Sequence, residues 1–488
     1  VRFRHLATAA EGVVVRTAGP DRDPELRAVV HDTRAVTGGA LFCCVRGRRA
    51  DGHDLAAAAV EHGAVALVVD HPLALDVPQL VVADVRAALG PVAAAFWHHP
   101  SRDLAVVGVT GTAGKTTVTH LLAAILGADG RPCGVIGTLS GVRTTPEAPE
   151  LQALLAEHRQ RGDVAVAMEV SSHGLEMGRV DATRFAVGMF TNLSQDHLDF
   201  HGTMDAYFAA KARLFEPGVS EQAVICADDP WGRRLLDRLR DRGDVEVHPY
   251  RLADAADLSL TPAGAAFTWR DQRVELGLSG RFNVRNAVGA ATAAVAVGVA
   301  PPVVARGLAA AAAVPGRFEA VDAGQPFTVI VDYSHKPDAL DQALRAAREL
   351  VTGGGRLTVV FGCGGDRDAA KRPLMGEVAA RLADDVVLTS DNPRSEDPLA
   401  IIDDIARGIP AGAAARTEPD RRRAIALALG AARPGGVVVV AGKGHETTQV
   451  VGDRTVPFDD RVVAREVLAD LTAAGTGGRP RSTKGQNP

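Results

Sequence analysis

One pattern recurs along this 488-residue chain: a short β-branched apolar run, then a polar or glycine-rich cluster, then an Ala/Leu-rich stretch of helical length. The runs are Ala66-Leu-Val-Val, Leu104-Ala-Val-Val-Gly-Val, Val164-Ala-Val-Ala-Met, Phe327-Thr-Val-Ile-Val, Leu357-Thr-Val-Val-Phe, Val386-Val-Leu and Val437-Val-Val-Val. Strands this uniformly apolar are covered on both faces, and strands that alternate with helices build parallel sheets. The fold class is therefore α/β. In open sheets of this kind ligands bind beyond the carboxyl ends of the strands, so function is sought in the residues that follow each run.

The length exceeds one ordinary core and calls for two or three domains. Residues 1–103 read as a small N-terminal α/β domain. Residues 104–316 read as a central domain with a P-loop-type, mostly parallel sheet and helices on both faces. Residues 317–473 read as a C-terminal Rossmann-like α/β domain, and 474–488, rich in Gly and Pro, as a disordered tail. There is no internal repeat. No uncharged apolar run reaches the roughly 18 residues of a membrane span. The start, Val1-Arg-Phe-Arg-His-Leu, lacks the apolar core of a signal peptide, so a cytoplasmic protein is expected. Five scattered cysteines without a CxxC spacing support neither a zinc site nor a disulfide framework. A net charge of -5 gives no hint of a nucleic-acid surface.

The segment Gly108-Val-Thr-Gly111-Thr112-Ala113-Gly114-Lys115-Thr116-Thr117 follows a strand and opens a helix. Backbone N–H groups and a helix N-terminus there can cradle phosphates, Lys115 can reach the β/γ-phosphates, and Thr116 can ligate Mg²⁺. ATP and Mg²⁺ are the expected cofactors. One position departs from the standard loop: Val109 stands where the first Gly is expected.

The run ending in Glu169 places one carboxylate at a strand end, suited to Mg²⁺ beside a phosphate loop, although alone it also reads as a solvent-facing strand terminus. Phe190-Thr-Asn-Leu-Ser-Gln-Asp196-His197-Leu-Asp199-Phe-His201 is dense in possible metal ligands, and equally reads as a polar loop. Tyr207, Lys211 and Phe215 then share one face of a helical segment. Lysine is rare here: six lysines against 48 arginines make up the 54 basic residues. Each lysine is therefore a candidate for chemistry that a guanidinium cannot perform. Three strand ends late in the chain carry further signatures: Phe361-Gly-Cys-Gly-Gly-Asp-Arg367, Ser390-Asp391-Asn392-Pro393-Arg394 and Ala441-Gly442-Lys443-Gly444-His445-Glu446. Two guanidiniums and one carboxylate converging at one sheet edge suit an amino acid, with Arg367 or Arg394 on a carboxylate and Glu446 on an ammonium; a surface salt-bridge cluster is the alternative.

The phosphate loop, the Glu169 strand, the Asn192-Leu-Ser-Gln-Asp-His-Leu-Asp-Phe-His segment and Ala210-Lys-Ala-Arg-Leu-Phe, in this order, resemble the Mur ligase family, with Val109 in place of Gly matching that family's loop. The resemblance covers almost the whole chain and is strongest to the members that add the third residue of the peptidoglycan stem peptide. It implies an ATP-dependent ligase joining meso-diaminopimelate to UDP-N-acetylmuramoyl-L-alanyl-D-glutamate through an acyl phosphate, acting as a monomer on small-molecule substrates.

The resemblance also implies roles. Lys115, Glu169, His197 and Lys211 would be catalytic, with Lys211 modified by CO₂ to a carbamate. Thr116, Glu169, His197 and the carbamate would hold the metal. Arg281-Phe-Asn-Val-Arg-Asn286 resembles the adenine segment, Arg317 the hinge arginine, and Asp332 with His335 the nucleotide-facing turn that ends the first strand of the third domain. Thr33 (in His31-Asp-Thr-Arg34, with Gly47–Gly52 beside it), Thr144, Thr145, Ser171 and Arg179 would hold the UDP-sugar peptide. Arg367, Asp391, Asn392, Pro393, Arg394, Gly442 and Glu446 would hold the amino acid; Arg394 favours meso-diaminopimelate over lysine, which is the alternative. Another Mur-type amide ligase remains open, as does a non-catalytic precursor-binding paralogue. The intact Lys115, Glu169, His197 and Lys211 speak against the paralogue.

Overall fold

The structure is a computed structural model. It describes residues 1–476 except Glu11, Arg48, Arg49 and Val142, with backbone alone for 474–476. The helix Asp460–Thr476 continues through 474–476; the rest of the expected tail lies outside the described residues. The chain forms two compact units: Val1–Asp254 with Asn286–Ala310, and Ala255–Arg285 with the residues from Ala311 on.

The first unit holds two sheets. One comprises β1 (Val14–Ala18), β2 (Ala28–Val30), β3 (Ala40–Cys43), β4 (Ala64–Val69) and β5 (Gln79–Val82), in the order β1-β5-β4-β3-β2. All are parallel but β1, which runs antiparallel along β5. The side-chain period of two feeds separate cores: Leu41, Cys43, Ala66 and Val68 enter one, Phe42, Cys44, Leu67 and Val69 the other.

The other sheet comprises β6 (Ala105–Thr110), β7 (Cys133–Ile136), β8 (Ala165–Glu169), β9 (Phe185–Phe190), β10 (Ser220–Cys226) and β11 (Glu246–Tyr250). Its order is β11-β10-β9-β6-β8-β7, and every pair is parallel. Strand order therefore reverses around β6, which lies between β8 and β9. At such a switch point the loops after neighbouring strands leave a crevice.

The second unit has a six-stranded sheet. Its strands are β15 (Glu319–Ala320), β16 (Thr328–Asp332), β17 (Leu357–Phe361), β18 (Asp385–Leu388), β19 (Ala415–Thr417) and β20 (Val437–Ala441), in the order β15-β16-β20-β17-β18-β19. Val359, Phe361, Val437 and Val439 enter one core and Val360, Val387, Val438 and Val440 the other, so both faces are covered. The strand ending at Asp332 is second in the sheet rather than first, because the short β15 precedes it and pairs antiparallel with it. Two antiparallel elements escape the apolar-run pattern: the sheet β12 (Ala256–Thr261), β13 (Gly264–Trp269), β14 (Gln272–Leu276), and the hairpin β21 (Thr448–Val451), β22 (Arg454–Pro457). β13 and β14 alternate buried with half-buried or exposed positions, and β12, β21 and β22 bury no residue, so none shows a β-branched apolar run. No helix among the described residues is long and apolar enough to cross a membrane.

Candidate active site

The phosphate loop begins where β6 ends. Val109 is still a strand residue, fully buried and opposite Glu169 in the β6–β8 register, so a side chain rather than a glycine suits it. The glycines follow. Gly111 has φ +150, and a Cβ there would lie 1.9 Å from Thr191 Oγ1; Gly114 has φ +87, with Asn286 Oδ1 at 2.6 Å from its would-be Cβ. Both positions require glycine. The next strand end braces the loop: Asn192 Oδ1 accepts from Ala113 N at 3.0 Å, while Asn192 Nδ2 and Thr191 Oγ1 donate to Ala113 O at 3.1 and 2.7 Å. Lys115 opens the helix Lys115–Ala128, and its Nζ donates to the loop carbonyls of Gly111 and Thr112 at 2.8 and 3.1 Å. Thr117, within the first turn, is buried.

Glu169 is 2% exposed. Its carboxylate accepts from Thr116 Oγ1 at 3.0 Å, Thr138 N at 2.8 Å and Thr138 Oγ1 at 3.2 Å. Among the described residues its partners are two hydroxyls and an amide, with no ion pair. A buried carboxylate without a cationic side chain beside it is costly unless a cation binds, and carboxylate plus hydroxyl is an oxygen donor set suited to a hard divalent ion.

Lys211 is 1% exposed and donates to Gly111 O at 2.9 Å. Its ammonium sits 4.7 Å from the centre of the Tyr207 ring, as their helical spacing predicts. The helix Met204–Ala212 ends one residue later, so Phe215 falls in a tighter turn, Arg213–Phe215. Tyr207 ties the group together: its hydroxyl lies 3.1 Å from Thr112 Oγ1, and its ring stacks on His201 at 5.0 Å. Burial pushes the Tyr207 phenol up and the His173 and His201 imidazoles down from their ordinary values. His197, in the loop after β9, sets its ring edge-on to His173 at 4.7 Å and pairs with Asp196 at 3.2 Å.

Four of the five residues expected on the UDP-sugar side gather at the end of β8. Thr145 Oγ1 donates to Glu169 O at 2.9 Å and accepts from Ser171 N at 2.9 Å. Thr144 Oγ1 lies 3.1 Å from Thr138 Oγ1, and Arg179 donates to Thr145 O at 3.2 Å. Arg179 also pairs with buried Glu147 at 2.9 Å, a partner the sequence did not flag. Thr33 makes none of these bonds. It begins the short turn Thr33–Ala35 after β2, where Asp32 caps Arg34 N. Arg48 and Arg49 of the neighbouring segment lie outside the described residues.

In the second unit, Asp332 accepts from Phe318 N at 2.7 Å and Ser334 N at 2.9 Å, which fixes the turn after β16. Arg317 lies over the Tyr333 ring at 4.5 Å. His335 bonds Tyr333 O at 2.8 Å, and burial pushes its imidazole down to about 3, helped by Lys336 and Lys371.

The three signature strand ends meet, since β20, β17 and β18 are neighbours and parallel. Asn392 Nδ2 donates to Glu446 Oε2 at 2.8 Å. Lys443, fully buried, donates to Asn392 Oδ1 and Glu446 Oε2, both at 3.1 Å. The sequence alone assigns Lys443 no role, although the scarcity of lysine marks it as a candidate. Asp391 Oδ2 lies 2.6 Å from the would-be Cβ of Gly442, which has φ +113. Burial raises the Asp391 carboxyl despite nearby Arg421 and Lys443. Pro393 O closes on Gly365, and Arg394, with φ 52, donates through Nη1 to Gly365 O at 2.6 Å. Arg367 stands beside Gly364 in the same loop.

A phosphate loop at a switch point, a buried carboxylate and lysine beside it, and an amino-acid-like charge set on a second sheet define a class. Models of the Mur ligase family catalytic domain, the Mur ligase middle domain and the Mur ligase glutamate ligase domain match residues 25–97, 109–294 and 316–444. The chain belongs to the Mur ligase family. It is similar to the UDP-N-acetylmuramoyl-L-alanyl-D-glutamate--2,6-diaminopimelate ligases of Streptomyces avermitilis and Solibacter usitatus. The first is 44% identical over 481 residues (92% of this chain, 94% of the relative) and the second 46% over 468 (91% and 94%). A solved structure of a ligase of that name has a TM-score of 0.66 at 34% identity, covering 92% of this chain and 95% of its own. A Mycobacterium tuberculosis folylpolyglutamate synthase complexed with ADP and AMPPCP shares the fold, at TM-score 0.59 and 18% identity, covering 81% of this chain and 95% of its own.

Proposed function

We propose that this chain joins meso-diaminopimelate to UDP-N-acetylmuramoyl-L-alanyl-D-glutamate at the expense of ATP, in peptidoglycan biosynthesis. The observation that carries the reading is 44% identity to a ligase of that name across 92% of the chain. Arg394, on the loop beside Glu446, supports meso-diaminopimelate over lysine, because a distal carboxylate needs a guanidinium partner.

The reaction runs in two steps. A D-Glu carboxylate oxygen attacks the γ-phosphorus of ATP and ADP leaves, giving an acyl phosphate. The amine then attacks the carbonyl carbon, the C–O bond to phosphate breaks, a proton is lost from nitrogen, and an amide and phosphate result. Both steps call for positioning and charge neutralisation rather than a protein nucleophile. The loop from Gly111 to Thr117 cradles the phosphates with its N–H groups, and Lys115 turns its ammonium to them. Asn286, Arg317, Asp332 and His335 serve the nucleotide. Thr33, Thr144, Thr145, Ser171 and Arg179 serve the UDP-sugar peptide. Arg367, Asp391, Asn392, Pro393, Arg394, Gly442 and Glu446 serve the diamino acid.

Thr116, Glu169, His197 and Lys211 would hold Mg²⁺; the chemistry supplied by the bound ion is neutralisation of phosphate charge. Lys211 takes part as a carbamate, formed when its neutral amine adds CO₂ and releases one proton, which turns a cation into an oxygen ligand. We infer that the chain divides into domains at 1–103, 104–316 and 317–473 and that the protein acts in the cytoplasm as a monomer.

Phosphate release from ATP, measured with UDP-N-acetylmuramoyl-L-alanyl-D-glutamate plus either meso-diaminopimelate or lysine, tests the proposal. Release with lysine alone overturns the specificity, and release with neither overturns the function.

A further inference from the structure

A fully buried ion pair lies behind the two loops assigned to the amino acid. The side chains of Arg421 and Asp460 are both 0% exposed. Arg421 begins the helix Arg421–Ala431, where the macrodipole disfavours a cation. Directed bonds compensate for that placement. Nε and Nη2 donate to the two Asp460 carboxylate oxygens at 2.7 Å each, a bidentate fork that lysine cannot reproduce. Two further donors reach main-chain carbonyls: Nη1 to Ser390 O at 3.2 Å and Nη2 to Ala441 O at 2.9 Å.

Those carbonyls belong to different strand ends. Ala441 is the last residue of β20, and Ser390 follows β18 by two residues. β17 lies between these strands in the sheet, so one guanidinium bridges the carboxyl ends of both neighbours of β17. Asp391-Asn392-Pro393-Arg394 starts one residue beyond the first carbonyl, and Gly442 to Glu446 one residue beyond the second. The loops meet through Asn392, Lys443 and Glu446. A buried ion pair is by itself weak ground for stability, since apolar residues of equal volume often serve as well. Two strand-end carbonyls held by one planar cation are what apolar residues could not supply.

We propose that Arg421, locked by Asp460, is a positioning residue for the amino-acid site: it sets the separation of the Asp391–Arg394 and Gly442–Glu446 loops and thereby the affinity for the incoming diamino acid. The inference rests on the amino-acid site named under Proposed function.

Two variants test it. Arg421→Met/Asp460→Leu removes both charges together and leaves neither buried alone; Arg421→Lys keeps the charge and loses the fork. The expected result is a KM for meso-diaminopimelate raised by about tenfold or more. The KM values for ATP and the UDP-dipeptide stay within about twofold, because no substrate touches the pair. Hydrogen exchange should quicken in peptides spanning 389–395 and 441–447 and not in the phosphate loop. Unchanged KM values, or an equal rise for all three substrates, would overturn the proposal. So would a double variant that fails to fold while Arg421→Lys keeps the wild-type KM. If the wild-type protein forms no product with meso-diaminopimelate, the functional reading fails; the exchange of the two loops then decides the positioning role, and unaltered exchange overturns it.

Discussion

Thr116 Oγ1 donates to Glu169 Oε1 at 3.0 Å, joining the first turn of the phosphate-loop helix to the end of the adjacent strand. Among the described residues the Glu169 carboxylate is held by hydroxyls and an amide and makes no ion pair. Glu169→Gln keeps the shape and the Thr116 contact and removes the charge. A fall in kcat of roughly 100-fold or more is expected, with unfolding temperature unchanged or raised, because an uncompensated buried carboxylate is costly. Phosphate release and thermal unfolding measured side by side check this. Joint loss of activity and stability would assign Glu169 a structural role instead.

Lys211 is tested by whether a carboxylate can replace it. Lys211→Ala should be inactive and regain turnover with a short-chain carboxylate in the buffer. Lys211→Arg should be inactive and gain nothing, since a guanidinium forms no carbamate. Undiminished activity in either variant rules the carbamate out.

Arg394 uses Nη1 on Gly365 O and has further donors to offer a ligand. Arg394→Ala should raise the KM for meso-diaminopimelate by roughly 10- to 150-fold, the range for a lost charge-assisted hydrogen bond. The KM for ATP should not move. Equal weakening of lysine and meso-diaminopimelate as substrates would mean that Arg394 does not read the distal carboxylate.

His335 links acidity to stability. Burial holds its imidazole near 3, against an ordinary 6.5. Between those values the unfolded chain binds a proton that the folded chain refuses. The contribution is complete above about pH 6.5 and is lost as pH falls towards 3, with a slope of up to about 1.4 kcal/mol per pH unit. Urea unfolding at pH 7, 6 and 5 should show His335→Gln less acid-sensitive than wild type. Parallel curves would contradict this.

The parts of the site legible in the sequence are local. Gly111 to Thr117 form one contiguous segment, and Glu169, Arg394 and Glu446 each lie at or soon after the end of an apolar run that reads as a strand. Lysine scarcity pointed at Lys211 and Lys443, both buried. What stayed hidden depends on contacts between distant residues. Tyr207 reaches Thr112 across 95 positions and Arg421 reaches Asp460 across 39, and nothing in either local sequence names its partner. Arg421 in particular reads as one more arginine in an arginine-rich chain. The sheet β12–β14 is illegible for a different reason: its strands lack the β-branched apolar run that marks the others.

The pairing of Val109 with Glu169 in the β6–β8 register also bears on how such a chain can diverge. Side chains on a strand alternate between faces, so a one-residue slip would turn Met168 toward the threonine hydroxyl and bury the carboxylate in the opposite core. Substitutions can accumulate along these two strands. A single-residue insertion or deletion cannot, and length changes in the lineage should be confined to the loops outside Ala105–Gly114 and Ala165–Glu169.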